Sequence, residues 1–361
     1  MKADKTPAAC KEIAISDLNP FRTIINRLSQ SPANSLYQKS VNNKPLSGRF
    51  RFTESRIDRW GYVFVLPFVI VYALCQLYPV IYTFILSFSD LYRLKQSSDL
   101  QFVGFANYHR LIHDPFFWHA VMNTFVIWIS CFIPQLSVAL VLSIWLSDIR
   151  LKLKGKSLFR ALIYMPNLLT ATAIALLFSR FFSYPIGPVN QFLQNTLGIY
   201  DTVLVGGIET KQAFDFFRNP LSSKLIIAFI QWWMWYGYTV ILLMAGITSI
   251  PQTLYEAAIV DGAHNWQLTW HITLPMLRPV MLYVLVTSMI GGMQMFDIPF
   301  IISSSGAAPD RIRTTSMYFY MVSFRGVNNY AYGAAISIGM FVITLLLALI
   351  IFLFMREKRS S

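Results

Sequence analysis

Six apolar runs, each long enough to cross a lipid bilayer, constrain this chain more than any other feature. They lie at residues 61–88, 120–146, 158–182, 225–247, 279–302 and 330–355. At about 1.5 Å per residue, a helix needs about 20 apolar residues to span the hydrocarbon core. The expected fold class is therefore an all-α integral membrane protein with six transmembrane helices. A membrane domain covers 61–355, preceded by a polar tail (1–60) and followed by a short C-terminus (356–361). Pro67, Pro79, Pro134 and Pro166 fall inside the runs. Such prolines are tolerated where neighbouring helices satisfy the freed carbonyls, so the spans form a bundle rather than isolated anchors. Pro67 and Pro79 are expected to bend the first span.

Composition agrees. Only 13% of residues are charged and 55% are hydrophobic, with a mean hydropathy of +0.49; soluble domains carry about 25% charged residues. The net charge of +13 does not indicate nucleic acid, because the basic residues gather in three stretches beside apolar runs. Cys10, Cys75 and Cys131 are too few and too scattered for a disulfide framework, and the five histidines show no metal-ligand spacing. The first sixty residues hold no apolar signal core, so insertion is expected to depend on the first span.

The basic stretches set the orientation. The tail carries eleven Lys or Arg against five Asp or Glu. The second loop adds Arg150, Lys152, Lys154, Lys156 and Arg160, and the C-terminus adds Arg356, Lys358 and Arg359. The first, third and fifth loops carry two or three each. Positive charge concentrates on the cytoplasmic side, so both termini are expected there. An even number of spans requires the same. The fourth loop is then cytoplasmic by counting.

That loop reads TSIPQTLYEAAIVDGAHNWQLTWHITLPMLR over residues 248–278. A short helix is expected from Pro251 to Ala263, with Thr253 and Glu256 at capping-box spacing. Leu254, Ala257 and Ala258 give it an apolar face, and Gly262 supplies a reversal. A second helical piece leads to Pro275. The pattern Glu256-Ala257-Ala258, then Gly262, then Ile272-x-Leu274-Pro275 resembles the signature of bacterial binding-protein-dependent ABC importer permeases in every position. The resemblance implies a type I ABC importer bundle whose short helix is the coupling helix, docked in a cytoplasmic ATPase. It assigns Glu256, Ala257, Ala258, Asp261 and Gly262 to ATPase docking. Small alanines suit close seating in a cleft, and the carboxylate suits a basic rim.

The words LYEAAIVDGAHNWQ, ITLP and MPNLL resemble the carbohydrate-uptake branch, in particular its maltose-type first permease subunit. So do Gln294-Met295-Phe296-Asp297-Ile298-Pro299 and Tyr332-Gly333-Ala334-Ala335. The likeness covers roughly residues 60–355. It departs at Ser303 to Pro309, where a Thr-Gly-Gly-Pro-like turn is usual, which puts the shape of that outer loop in question. No Walker A pattern exists in the chain. It is therefore expected to hold no cofactor and to be no enzyme, with ATP and Mg bound by a partner ATPase dimer. A second homologous permease, an extracytoplasmic solute-binding protein, a sugar substrate and membrane lipid complete the implied partners; nucleic acid is not among them. The location implied is the bacterial cytoplasmic membrane.

Helical spacing places Gln231, Met234, Trp235 and Tyr238 on one face of span four. Flat aromatic surface beside amide and hydroxyl groups suits a sugar, whose rings have apolar faces and polar rims. Trp232 and Trp233 read instead as interfacial or packing residues. The resemblance adds Asn167, Ser288 and Gly292 to the substrate pathway. Asn167 also fits a bridge between helices, and Gly291-Gly292 a bend or a close approach. Gly333, Ala335, Ser337 and Gly339 read as a packing stripe in span six. The expected function is the permease subunit of an importer for a sugar or oligosaccharide. A glycerol-phosphate or other polar-solute importer of the same branch is the alternative, although few intramembrane cations are available. An ion-coupled secondary transporter is the rival from another class. It would use carboxylates at the midplane, whereas Asp297, the one acid deep in a span, lies toward the outer end.

Overall fold

The computed structural model describes residues 54–91, 101–147, 155–205, 208–307, 309–325 and 328–355. Most of the polar tail, the basic stretch 148–154 and residues 356–361 lie outside the described residues. The chain divides into two compact units, residues 1–76 and 77–361.

In the first unit a helix runs over Glu54–Tyr72, so the helix of span one begins within the stretch read as polar tail. The helix runs on through Pro67. Its distortion is a π-helical turn at Ala73–Leu77, just ahead of Pro79. Pro79 lacks the N–H that the Cys75 carbonyl would accept in a regular helix, and a widened turn accommodates that loss.

In the second unit, helix Tyr78–Ser87 continues the apolar stretch. Span two is Pro115–Ser147, span four Pro220–Thr248 and span six Tyr330–Met355. Span five is helical over Arg278–Met293, breaks at residues 294–296, and resumes as Asp297–Ser304. Among the described residues five segments are long and apolar enough to cross a membrane; the sixth is a broken pair.

The continuous third span expected over 158–182 is corrected. A helix at Lys156–Tyr164 passes into a 3-10 turn at Met165–Leu168, and a new helix, Ala171–Phe181, leaves at 88°. Pro166 removes a helical donor at the turn. Thr170, in extended conformation, then accepts from the Ala173 N–H at 3.4 Å and caps the next helix. The chemistry of a stop and a restart is thus written within five residues.

Spans two and four pack along most of their length, burying Ile127, Ala139, Ile227, Ile230 and Leu243 completely. The small residues of span six meet close neighbours. A Cβ on Gly333 would lie 1.9 Å from Ser323 Oγ, and one on Gly339 would lie 2.6 Å from Leu111 Cδ2. Trp233 meets Phe178 edge-on, and Trp232 stacks on Tyr236, so both serve packing.

Two small antiparallel pairings add to the helical fold: Ser89–Asp90 with Gln101–Phe102, and the hairpin Asp201–Val205 with Ile208–Gln212. In the departing segment 303–309, Gly306 takes φ +124° and Ala307 is buried. Near the start of span two, Asp114 accepts from the Tyr318 hydroxyl and, at 2.5 Å, from that of Tyr332. The Arg110 guanidinium lies 4.2 Å above the Tyr332 ring. Burial raises the Asp114 pKa, but these hydroxyls and the Phe116 and Phe117 amides outweigh it and hold the group below the usual carboxylate range. Burial and the same contact push Tyr318 up.

Candidate functional site: a mid-span cavity and the loop after span four

A cavity of about 360 Å³ opens among spans two, four and five. Span four supplies Gln231, Met234, Trp235 and Tyr238, the face expected from helical spacing, together with Thr239. Met234 stands at the midpoint of the Pro220–Thr248 helix, about 20 Å from either end at 1.5 Å per residue. Trp235 is 44% exposed and meets Tyr238 edge-on, with ring centroids 6.1 Å apart. Span five supplies Ser288 and Gly292, and its break adds Gln294 and Asp297.

Several lining groups were not singled out as site residues from the sequence. Trp128 and Gln135 reach the cavity from span two, and Thr287 from span five. Gln135 donates to Thr239 Oγ1 at 2.8 Å, and Trp128 Nε1 donates to Ser288 Oγ at 3.3 Å. Gln135 carried a usable signal, since an amide inside an apolar run is costly without a partner. Trp128 carried none, because an aromatic residue in a span reads equally as packing.

The glycines of span five separate. A Cβ on Gly292 would lie 2.3 Å from Trp128 Cδ1, whereas Gly291 faces open space. Gly292 therefore serves a close approach that shapes the cavity wall. Asn167 stands apart from the lining. Its Nδ2 donates to the Met234 carbonyl at 3.4 Å, tying the turn of broken span three to span four. The structure thus brings six of the seven expected pathway residues to one cavity and places the seventh behind it.

The loop after span four forms a helix at Gln252–Val260 with no buried residue. Pro251 precedes it, and no side chain caps its first turn, so the expected capping box of Thr253 and Glu256 is absent. Pro251 fixes the entry instead. The box appears one element later, where His264 and Gln267 cap Asn265–Leu268, and the His264 N–H donates to Gln267 Oε1 at 2.8 Å.

Gly262 ends the exposed helix at φ +83°. The Ala263 N–H donates to the Ala258 carbonyl at 2.9 Å, and the Gly262 N–H to the Ile259 carbonyl at 3.0 Å. These two bonds form a Schellman closure, whose left-handed residue is glycine because a Cβ would strain it. Glu256, Ala257, Asp261 and Gly262 are exposed, with Ala258 half-buried.

The chain then returns through a π-helical turn at Thr269–Thr273, where Thr273 is 3.0 Å from the Tyr255 hydroxyl, and enters span five. At the base of the two spans, a Cβ on Gly246 would lie 2.7 Å from Leu277 Cδ2, and Leu277 is fully buried. The exposed helix thus follows span four through a three-residue link and is tied toward span five by the Tyr255–Thr273 contact, while the bases of the two spans pack on each other. Among the described residues no metal-ligating cluster occurs.

Residues 124–359 match the family described as the binding-protein-dependent transport system inner membrane component. The chain belongs to that family. It is 32% identical over 294 residues to the lactose transport system permease protein LacF of Rhizobium radiobacter, covering 81% of this chain and 92% of that one. It is 30% identical to the arabinooligosaccharides transport system permease protein AraP of Bacillus subtilis (strain 168), covering 80% and 86%. A bacterial ABC transporter involved in the import of the acidic polysaccharide alginate shares the fold, with a TM-score of 0.68 at 22% identity over 86% of this chain and 99% of that one. The type I importer permease fold expected from the loop signature is the fold observed.

Proposed function

We propose that this inner membrane component carries a sugar or oligosaccharide through the cavity between spans two, four and five. It works as one half of an alternating-access pathway completed by a second homologous permease. The observation that carries the reading is the exposed helix Gln252–Val260, closed by Gly262, linked to the base of span four by three residues and tied toward span five by the Tyr255–Thr273 contact. A cytoplasmic ATPase dimer holding ATP and Mg grips that helix in this reading, and both termini face the cytoplasm. When the ATPase subunits close, the rigid joint turns the lower ends of spans four and five, which rearranges the cavity walls at Met234 and Ser288. An extracytoplasmic binding protein delivers the solute. The sugar assignment rests on the relatives named for lactose and arabinooligosaccharides, and on the mix of tryptophan faces, amides and hydroxyls lining the cavity.

Two substitutions test the joint. Glu256→Lys reverses the exposed charge facing the ATPase and weakens docking through repulsion. Gly262→Val puts a β-branched residue at φ +83°, a strain of about 1–3 kcal/mol. Both variants should insert normally, yet lose ATPase co-purification or sugar uptake when normalised to permease abundance. Wild-type values for both would reduce the loop to a connector.

A further inference from the structure

A fold shared with an importer of an acidic polysaccharide does not fix the charge of the solute. Among the residues lining this cavity, Asp297 carries the one charged side chain. The other polar groups, such as Gln231, Gln294, Tyr238 and Ser288, are neutral, and no lysine, arginine or histidine lines it. Asp297 is exposed at the start of the short helix that follows the break in span five. Among the described residues its carboxylate has no hydrogen-bond or ion-pair partner. The carboxylate lines a space that a solute of the proposed kind would enter.

We propose that Asp297 is a specificity-determining residue which makes the cavity selective for neutral or amino-bearing saccharides and rejects uronates and sugar phosphates. The inference rests on the reading of the cavity as the solute pathway. A carboxylate repels an anion across a few ångströms of poorly screened space strongly enough to lower its occupancy about ten-fold or more. It attracts an ammonium group by the same field. Neutral sugars remain free to use the Trp128 and Trp235 faces and the amides. The break in span five gives the arrangement its position: without it, residue 297 would continue along the helix instead of opening a new one beside Gln294.

The test reads the field and the sugar separately. In the assembled transporter, with Cys10, Cys75 and Cys131 replaced by serine, Thr287→Cys is labelled with a cationic and an anionic methanethiosulfonate reagent of similar size. The cationic-to-anionic rate ratio should exceed its value for a free thiol by about ten-fold or more. Adding Asp297→Asn should bring that ratio to within about three-fold of the free-thiol value, while Asp297→Glu should preserve it. Lactose and arabinotriose are then tested as protectants against a galacturonate trisaccharide; a neutral sugar should slow labelling and the uronate should not. A ratio at the free-thiol value, or one unmoved by Asp297→Asn, overturns the inference even if neutral sugars protect. Equal protection by the uronate does the same. Loss of the second permease from the Asp297→Asn complex would assign the carboxylate to subunit pairing and also overturn it. A strong field with no protection by any neutral sugar would instead strike at the solute-pathway reading, and the inference would fall with it.

Discussion

Gly237→Ala is the most discriminating single substitution in the membrane domain. Gly237 sits on span four, next to the cavity residue Tyr238 in sequence, against the last turn before the break in span three. A Cβ at this position would lie 2.0 Å from the Ile163 carbonyl oxygen and 2.7 Å from its carbon. Ordinary contact begins near 3.4 Å, so the backbones must part by about 1.4 Å. A flexible side chain could turn aside; a carbonyl within a helix cannot. Overpacking of this kind costs about 1–3 kcal/mol, a factor of roughly 5 to 150 in any equilibrium that needs the two helices together. The separation would also disturb the Asn167 bond to the Met234 carbonyl one turn away. Gly291→Ala is the matched control, because its added methyl meets nothing within 4 Å. Thermal unfolding of the purified complex, followed with uptake in vesicles, should show Gly237→Ala several degrees less stable and poorly active. Gly291→Ala should be stable to within a degree or so. Equal stability and uptake for the two variants would refute the close packing of spans three and four from which the argument starts.

Two further outcomes follow from the cavity and from the Asp114 contact. Trp235→Ala and Tyr238→Ala should each lower sugar uptake about ten-fold while assembly is retained, since each removes about 1–1.5 kcal/mol of aromatic contact; wild-type uptake by both would return this face to packing. Asp114 has a lowered pKa, so its contribution is fully present above the ordinary carboxylate pKa of about 4 and is lost as pH falls through the lower folded value. Asp114→Asn should therefore lower the unfolding temperature by a constant amount between pH 6 and 8, with the difference from wild type shrinking only in the acid range below about pH 4. A difference that instead grew toward low pH would mean that the tyrosines do not stabilise the charged form.

The sequence by itself determined the parts of this protein that depend on neighbours along the chain. A bilayer span needs only length and apolarity, so the six runs were legible without any knowledge of packing. The exposed loop helix was legible for a similar reason: Gly262 is demanded by a local backbone conformation, and the bonds that close the helix join residues no more than five apart. The face of span four was legible because 3.6 residues per turn fixes which side chains share a side. Other features rest on contacts distant in the chain, and only the tertiary structure decided them. Gln135 and Thr239 are 104 residues apart, yet one amide satisfies the other's hydroxyl at the cavity wall. Gly292 is explained by Trp128, and Gly237 by a carbonyl of span three. Asn167 fitted both the pathway and a bridge between helices, and its contact with the Met234 carbonyl, 67 residues along the chain, supplies the bridge. Proline signals that a helix is weakened at a point. Whether it bends, widens as before Pro79 or turns as at Pro166 depends on what the neighbouring helices supply to the freed groups, and that information is spread over the whole bundle.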